Sequence, residues 1–179
     1  MPKIGFVDCL SNAFDSFEIA TTIIDKEFAG TSLQRLTAPE ILKMPVCAKK
    51  LLGSGGVDVV IAFVTATPED FDSLHLLVEK TIDLELEFQK YVFYCVVSEE
   101  EFSSQAEFEK IASERLTAFI DLSLKALHSP AEVSSQIGTG VDFSMFAAFA
   151  QGSDSDASVS APAPASEPKS SESSGRSLF

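Results

Sequence analysis

Short runs of β-branched and apolar residues alternate along the chain with longer segments whose apolar positions recur every three or four residues. Four runs read as strands: Ile4 to Val7, the half-polar Ser32 to Leu36, Val57 to Val64, and Tyr91 to Val97. The unbroken Val59-Val60-Ile61-Ala62-Phe63-Val64 suits a central strand covered on both faces. Between the strands, Phe14, Phe17, Ile24 and Phe28 recur near helical spacing, and Phe108, Ile111, Leu116, Phe119 and Ile120 repeat the pattern in a longer final segment. This alternation predicts an α/β domain of three layers, a four-stranded parallel sheet between two layers of helices.

Local punctuation supports these elements. Ser98-x-x-Glu101 has the pattern of a capping box and predicts the start of the helix after strand four. Thr67-Pro68-Glu69-Asp70 places proline and two acids where the third helix should begin. Gly53-Ser54-Gly55-Gly56 should close the second helix and turn into strand three; it is not a phosphate cradle, since no Lys-Ser/Thr follows and a strand, not a helix, comes next. After Ser129-Pro130, a segment with Phe143, Met145, Phe146 and Phe149 is too aromatic for an exposed helix, so it either packs back on the domain or meets another subunit, the second being the favoured expectation. The expected domain spans residues 1–150. Residues 151–179 contain ten serines and three prolines and predict a disordered tail.

Charge and cysteine content narrow the chemistry. Across 179 residues, 27 acidic and 13 basic side chains give a formal charge of −14. Only −2 of it belongs to the tail (Asp154, Asp156, Glu167 and Glu172 against Lys169 and Arg176), so the acidity lies in the domain and argues against a nucleic-acid partner. No apolar run approaches the roughly 20 residues of a membrane-spanning helix. The opening Met-Pro-Lys lacks the layout of a signal peptide, and Cys9, Cys47 and Cys95 show no C-x-x-C spacing. A cytoplasmic protein with three reduced, packed thiols and no metal site is expected.

In an open parallel sheet, ligands gather beyond the carboxyl ends of the strands. That selects the loops Asp8 to Phe14, Thr37 to Pro45, Thr65 to Asp72 and Ser98 to Phe102. They carry no G-x-S-x-G, Walker, G-x-G-x-x-G or H-E-x-x-H motif. His75, about one turn into the third helix, reads either as an ordinary helix residue or as a proton donor or acceptor at the mouth of the sheet, a task suited to imidazole. His128 suits a helix C-terminus. Asp8 reads as a helix-capping acid or a substrate acceptor.

Three stretches resemble the archaeal-type riboflavin synthases, relatives of lumazine synthase: Lys3-Ile4-Gly5-Phe6-Val7-Asp8, then the long run from Thr37-Ala38-Pro39-Glu40-Ile41 through Met44-Pro45 to Leu51-Leu52, and Val57 to Phe63. The resemblance covers residues 1 to about 145. It implies a flavodoxin-like, lumazine-synthase-like fold and a homopentamer with sites shared between subunits. It also implies dismutation of two 6,7-dimethyl-8-ribityllumazine molecules to riboflavin and a ribitylamino-pyrimidinedione. No redox cofactor is required in that reaction, and Mg²⁺ is left open as an auxiliary.

On this resemblance, Ala38, Pro39, Glu40, Ile41 and Met44 belong to the loop that holds the ribityl chain. Asp8, Ser11, Asn12 and Phe14 face the ring from the first loop, Phe63, Thr65 and Thr67 from the third, and Glu99 from the fourth; His75 serves as acid/base. Several ligand-facing positions depart from the family pattern. Its D-T-T-F-A-R reads here Asp8-Cys9-Leu10-Ser11-Asn12-Ala13, its glycine-bearing turn after strand three reads Thr65-Ala66-Thr67-Pro68, and its H-E-A-S reads His75-Leu76-Leu77-Val78. A second reading follows from these departures: a non-catalytic relative that binds flavin or lumazine, or builds a pentameric or larger shell.

Overall fold

The computed structural model describes residues 1–128. The aromatic segment around Phe143 to Phe149, the tail at 151–179 and the expected domain end at 150 lie outside the described residues. Four strands, β1 (Lys3–Cys9), β2 (Ser32–Ala38), β3 (Val59–Ala66) and β4 (Val92–Ser98), form one parallel sheet in the order β2-β1-β3-β4. The helices are α1 (Ser16–Glu27), α2 (Met44–Gly53), α3 (Phe71–Phe88) and α4 (Gln105–His128). The fold is therefore the expected α/β sandwich of the flavodoxin-like, lumazine-synthase-like type.

Strand alternation divides the core into two layers. Val7 and Cys9 of β1, Val60, Ala62 and Val64 of β3 and Val92 of β4 face α2 and α3, packing with Met44, Leu51, Leu74 and Leu77. On the other face Ile4, Phe6, Ile61, Phe63, Cys95 and Val97 pack with Ile23 and Ile24 of α1 and Phe108, Leu116 and Ile120 of α4. Every residue of β3 is buried, as its unbroken apolar run required.

Cys9, Cys47 and Cys95 are free thiols; Cys9 and Cys95 are buried. Burial pushes the Cys95 thiol up to about 12, which leaves it inert as a nucleophile. No described helix is long and apolar enough to cross a membrane.

Gly5 lies where β1 passes under α2. A Cβ there would meet Leu51 Cδ1 and Val60 Cγ2 at 3.0 Å and Val57 Cγ2 at 3.2 Å. Gly5→Ala should therefore destabilise the domain by about 1–3 kcal/mol through overpacking, read as a lowered urea midpoint with an unchanged slope. Gly56, at φ +64°, supplies the left-handed residue that turns the end of α2 back toward β3.

Two start signals fall one element earlier than expected. Ser98 and Glu101 form their reciprocal bonds around a single 3-10 turn, Glu99–Glu101. Phe102 is then extended, and α4 begins only at Gln105. The Phe102 ring explains the interruption, because it packs edge-on against Phe14 and Phe108 at 6.0 and 5.2 Å. Similarly, the Thr67 N–H and hydroxyl both donate to Asp70 Oδ2 at 2.9 Å, capping the 3-10 turn Pro68–Asp70 that leads into α3.

Candidate functional site

Because all four strands are parallel, the loops that follow them open at one end of the sheet. The ladder of β1 with β3 runs from Ile4 opposite Val59 to Val7 opposite Ala62, while β1 keeps pairing with β2 as far as Cys9 opposite Ala38. The next backbone groups of β3 would be left without a strand partner on that side. Asn12 supplies it: its Oδ1 accepts the Thr65 N–H at 2.9 Å, and its Nδ2 donates to the Phe63 carbonyl at 3.4 Å. The side-chain amide acts as one more rung of the sheet.

Thr65, itself buried, extends this bridge. Its Oγ1 accepts the Ala13 N–H at 3.2 Å and donates to Glu99 Oε1 at 3.4 Å. Asn12, Thr65 and Glu99 thus tie together the loops after β1, β3 and β4. Asn12 and Thr65 lie in the stretches read from the sequence as departures from the riboflavin synthase pattern, and they bond to one another.

Other expected contacts are placed differently. Asp8 does not cap α1: it is 2% exposed and pairs with Arg35 Nη2 at 2.5 Å, while Asp15 is the cap and accepts the Phe17 N–H at 2.9 Å. Phe63 is fully buried, stacked beside Phe6 at 6.3 Å, because the alternation that turns Thr65 toward α1 and α4 also turns Phe63 there, one rung deeper. Phe14 packs on Phe108 at 5.1 Å rather than standing free. Ser11 is exposed, with its hydroxyl 3.0 Å from Cys9 Sγ.

In the loop after β2, Ala38, Ile41 and Met44 are buried and anchor it. Pro39, Glu40 and Leu42 are exposed, with Glu40 paired to Lys43 at 3.6 Å. The Leu10 N–H donates to the Ala38 carbonyl at 2.9 Å and joins this loop to the first.

His75 is exposed on α3 and has no place in the Asn12–Thr65–Glu99 bridge of its own chain. It lies in a stripe formed by Phe71, His75, Val78, Ile82 and Leu86, spaced four, three, four and four residues apart. Ile82 is 46% and Leu86 75% exposed, so the stripe is apolar and unburied. The opposite flank of α3 meets α2, where Glu87 pairs with Lys49 at 2.9 Å. A groove of about 460 Å³ lies between α1 and α4, lined by Phe14, Glu18, Ile23, Phe108 and Glu109. Among the described residues, no three His, Cys, Asp or Glu side chains come together as a metal site.

Arg35 escaped the sequence reading. Burial works against its charge, but hydrogen bonds and charges from Asp8 and Asp15 outweigh that and hold its pKa above the ordinary value. The available signal was one of parity: Asp8 and Arg35 stand on covered faces of strands that should be apolar there, and two opposite charges on one side of neighbouring strands ask to be paired.

No protein-family model matches the chain. It is similar to archaeal riboflavin synthases. The riboflavin synthase of Archaeoglobus fulgidus is 27% identical over 140 residues, which cover 77% of this chain and 91% of that protein. Those of Methanothermobacter thermautotrophicus and Methanothermobacter marburgensis are 26% and 25% identical over 143 residues, 79% of this chain and 94% of each relative. The likeness runs over nearly the whole length of these enzymes.

Proposed function

We propose that the protein is a riboflavin synthase that dismutates two 6,7-dimethyl-8-ribityllumazine molecules into riboflavin and a ribitylamino-pyrimidinedione. The similarity to riboflavin synthases across 91–94% of their length carries this reading. The chemistry asks little of the protein beyond stacking two rings and handling protons, so the reading draws on no redox cofactor. The exposed part of the 38–44 loop holds the ribityl chain, Ser11 and Glu99 offer polar contacts at the mouth, and His75 moves the proton.

Assembly belongs to the same proposal. His75 takes no part in the Asn12–Thr65–Glu99 bridge of its own chain, and it stands in an uncovered apolar stripe. A homopentamer that buries this stripe against its neighbour brings His75 of one subunit to the mouth of the next. Light scattering should then give five times the 19.2 kDa chain mass, and a monomer would refute the shared site.

The non-catalytic reading has one observation in its favour, since Asn12, Thr65 and Glu99 spend their polar groups on each other. Mixing the purified protein with 6,7-dimethyl-8-ribityllumazine and following absorbance and fluorescence separates the two. Riboflavin should form, one molecule for each two of substrate consumed; tight binding without product would establish a flavin- or lumazine-holding relative instead. Neither binding nor product would leave a likeness of fold.

A further inference from the structure

One guanidinium touches both ends of the loop that connects β1 to α1. Arg35, projecting from β2, donates from Nη2 to Asp8 Oδ2 at 2.5 Å, at the root of the loop. From Nη1 it donates to Asp15 Oδ2 at 3.3 Å, at the cap of α1. Its guanidinium carbon also sits 4.9 Å from the centre of the Phe17 ring, at the second residue of the helix. Between the two acids run six residues, Cys9 to Phe14, and among them is Asn12, the rung that completes the edge of β3.

We propose that Arg35 is a positioning residue for the candidate site, fixing the path of the β1–α1 loop and, through Asn12, the geometry of Thr65 and Glu99. The planar fork matters more than the charge. Two acids on different elements can be held at once by a guanidinium, whose donors diverge in one plane, whereas an ammonium acts as a compact point charge. Asp8 is buried and cannot move far, so it serves as the fixed anchor; Asp15 is half-exposed and is the end that Arg35 restrains.

Arg35→Lys keeps the charge and removes the fork. Amide hydrogen exchange at Ala13 and Thr65 should accelerate roughly tenfold or more, while Ile61 and Val97 in the core remain protected. Asp15→Asn is the companion variant: asparagine caps a helix as well as aspartate does, so α1 stays intact while the charged partner of Arg35 is removed. It should reproduce part of the acceleration, and the double variant should add little to Arg35→Lys.

The catalytic arm rests on the riboflavin synthase reading. With lumazine substrate, Arg35→Lys should raise KM about tenfold and lower kcat less, because a misplaced loop weakens binding of the ring. If the unaltered protein forms no riboflavin, that reading fails and the exchange measurement alone decides the role of Arg35. Unchanged exchange at Ala13 and Thr65 would overturn the proposal. So would equal acceleration at Ile61 and Val97, which would make Arg35 a contributor to global stability only.

Discussion

Replacing Phe108 by alanine should remove about 3–5 kcal/mol of stability, the usual range for a buried phenylalanine. Phe108 is fully buried and lies at the centre of an aromatic cluster, with Phe14 at 5.1 Å, Phe102 at 5.2 Å and Phe63 at 6.1 Å. Those rings come from the β1–α1 loop, the turn before α4, and β3. Three elements therefore lose a shared partner at once, and none can collapse into the space without abandoning another contact. Against a typical total of about 5–15 kcal/mol, the loss is roughly a fifth or more of the stability. The thermal midpoint followed by circular dichroism should fall by roughly 10–20 °C. A change below about 1 kcal/mol would show that the cluster is loosely packed.

His75→Ala should leave the fold intact and lower turnover by about 10²–10⁴-fold, the span typical of a lost general acid or base. Preservation of the fold follows from its exposed position on α3, where alanine is also the better helix former. The direction of the kinetic change tests the mechanism, and a mixing experiment tests its geometry. When His75→Ala chains are co-assembled with Asn12→Ala chains, a fraction of interfaces carries an intact His75 facing an intact mouth, and activity should partly return. Full turnover by His75→Ala alone would remove the histidine from the reaction. Lost turnover with no recovery on mixing would place His75 and the mouth in one subunit.

Much of the architecture was legible because burial dictates pattern. The apolar run of β3 could only be a strand covered twice, and the periodicity of Phe108, Leu116 and Ile120 could only be a helix with one buried face. Boundaries were harder. Ser98 to Glu101 looks like the beginning of a helix because its capping bonds are the same ones that close a lone turn; what separates the cases is the distant Phe102 contact with Phe14, which no local pattern reveals. The mouth was least legible. Whether Asn12 meets a ligand or a backbone depends on where β1 parts from β3, a property of register and not of composition. Asp8 was singled out as polar and well placed, yet without Arg35 in view its burial could not be anticipated.

The central position of β1 bears on how the protein is made. Ile4 pairs with Leu33 on one side and with Val59 on the other, so the strand that comes first of the four in sequence must wait for the third before both its neighbours are available. At a synthesis rate of roughly 5–20 residues per second, Ile4, Phe6 and Val7 wait several seconds outside the ribosome before β3 follows. During that interval one edge of the nascent sheet is both apolar and open, the form most prone to pair with a stranger. Slowing translation between β2 and β3 should therefore lower soluble yield. A fusion partner attached ahead of the 97%-exposed Met1 would be tolerated, but removal of even a few residues beyond Lys3 would take out the middle of the sheet.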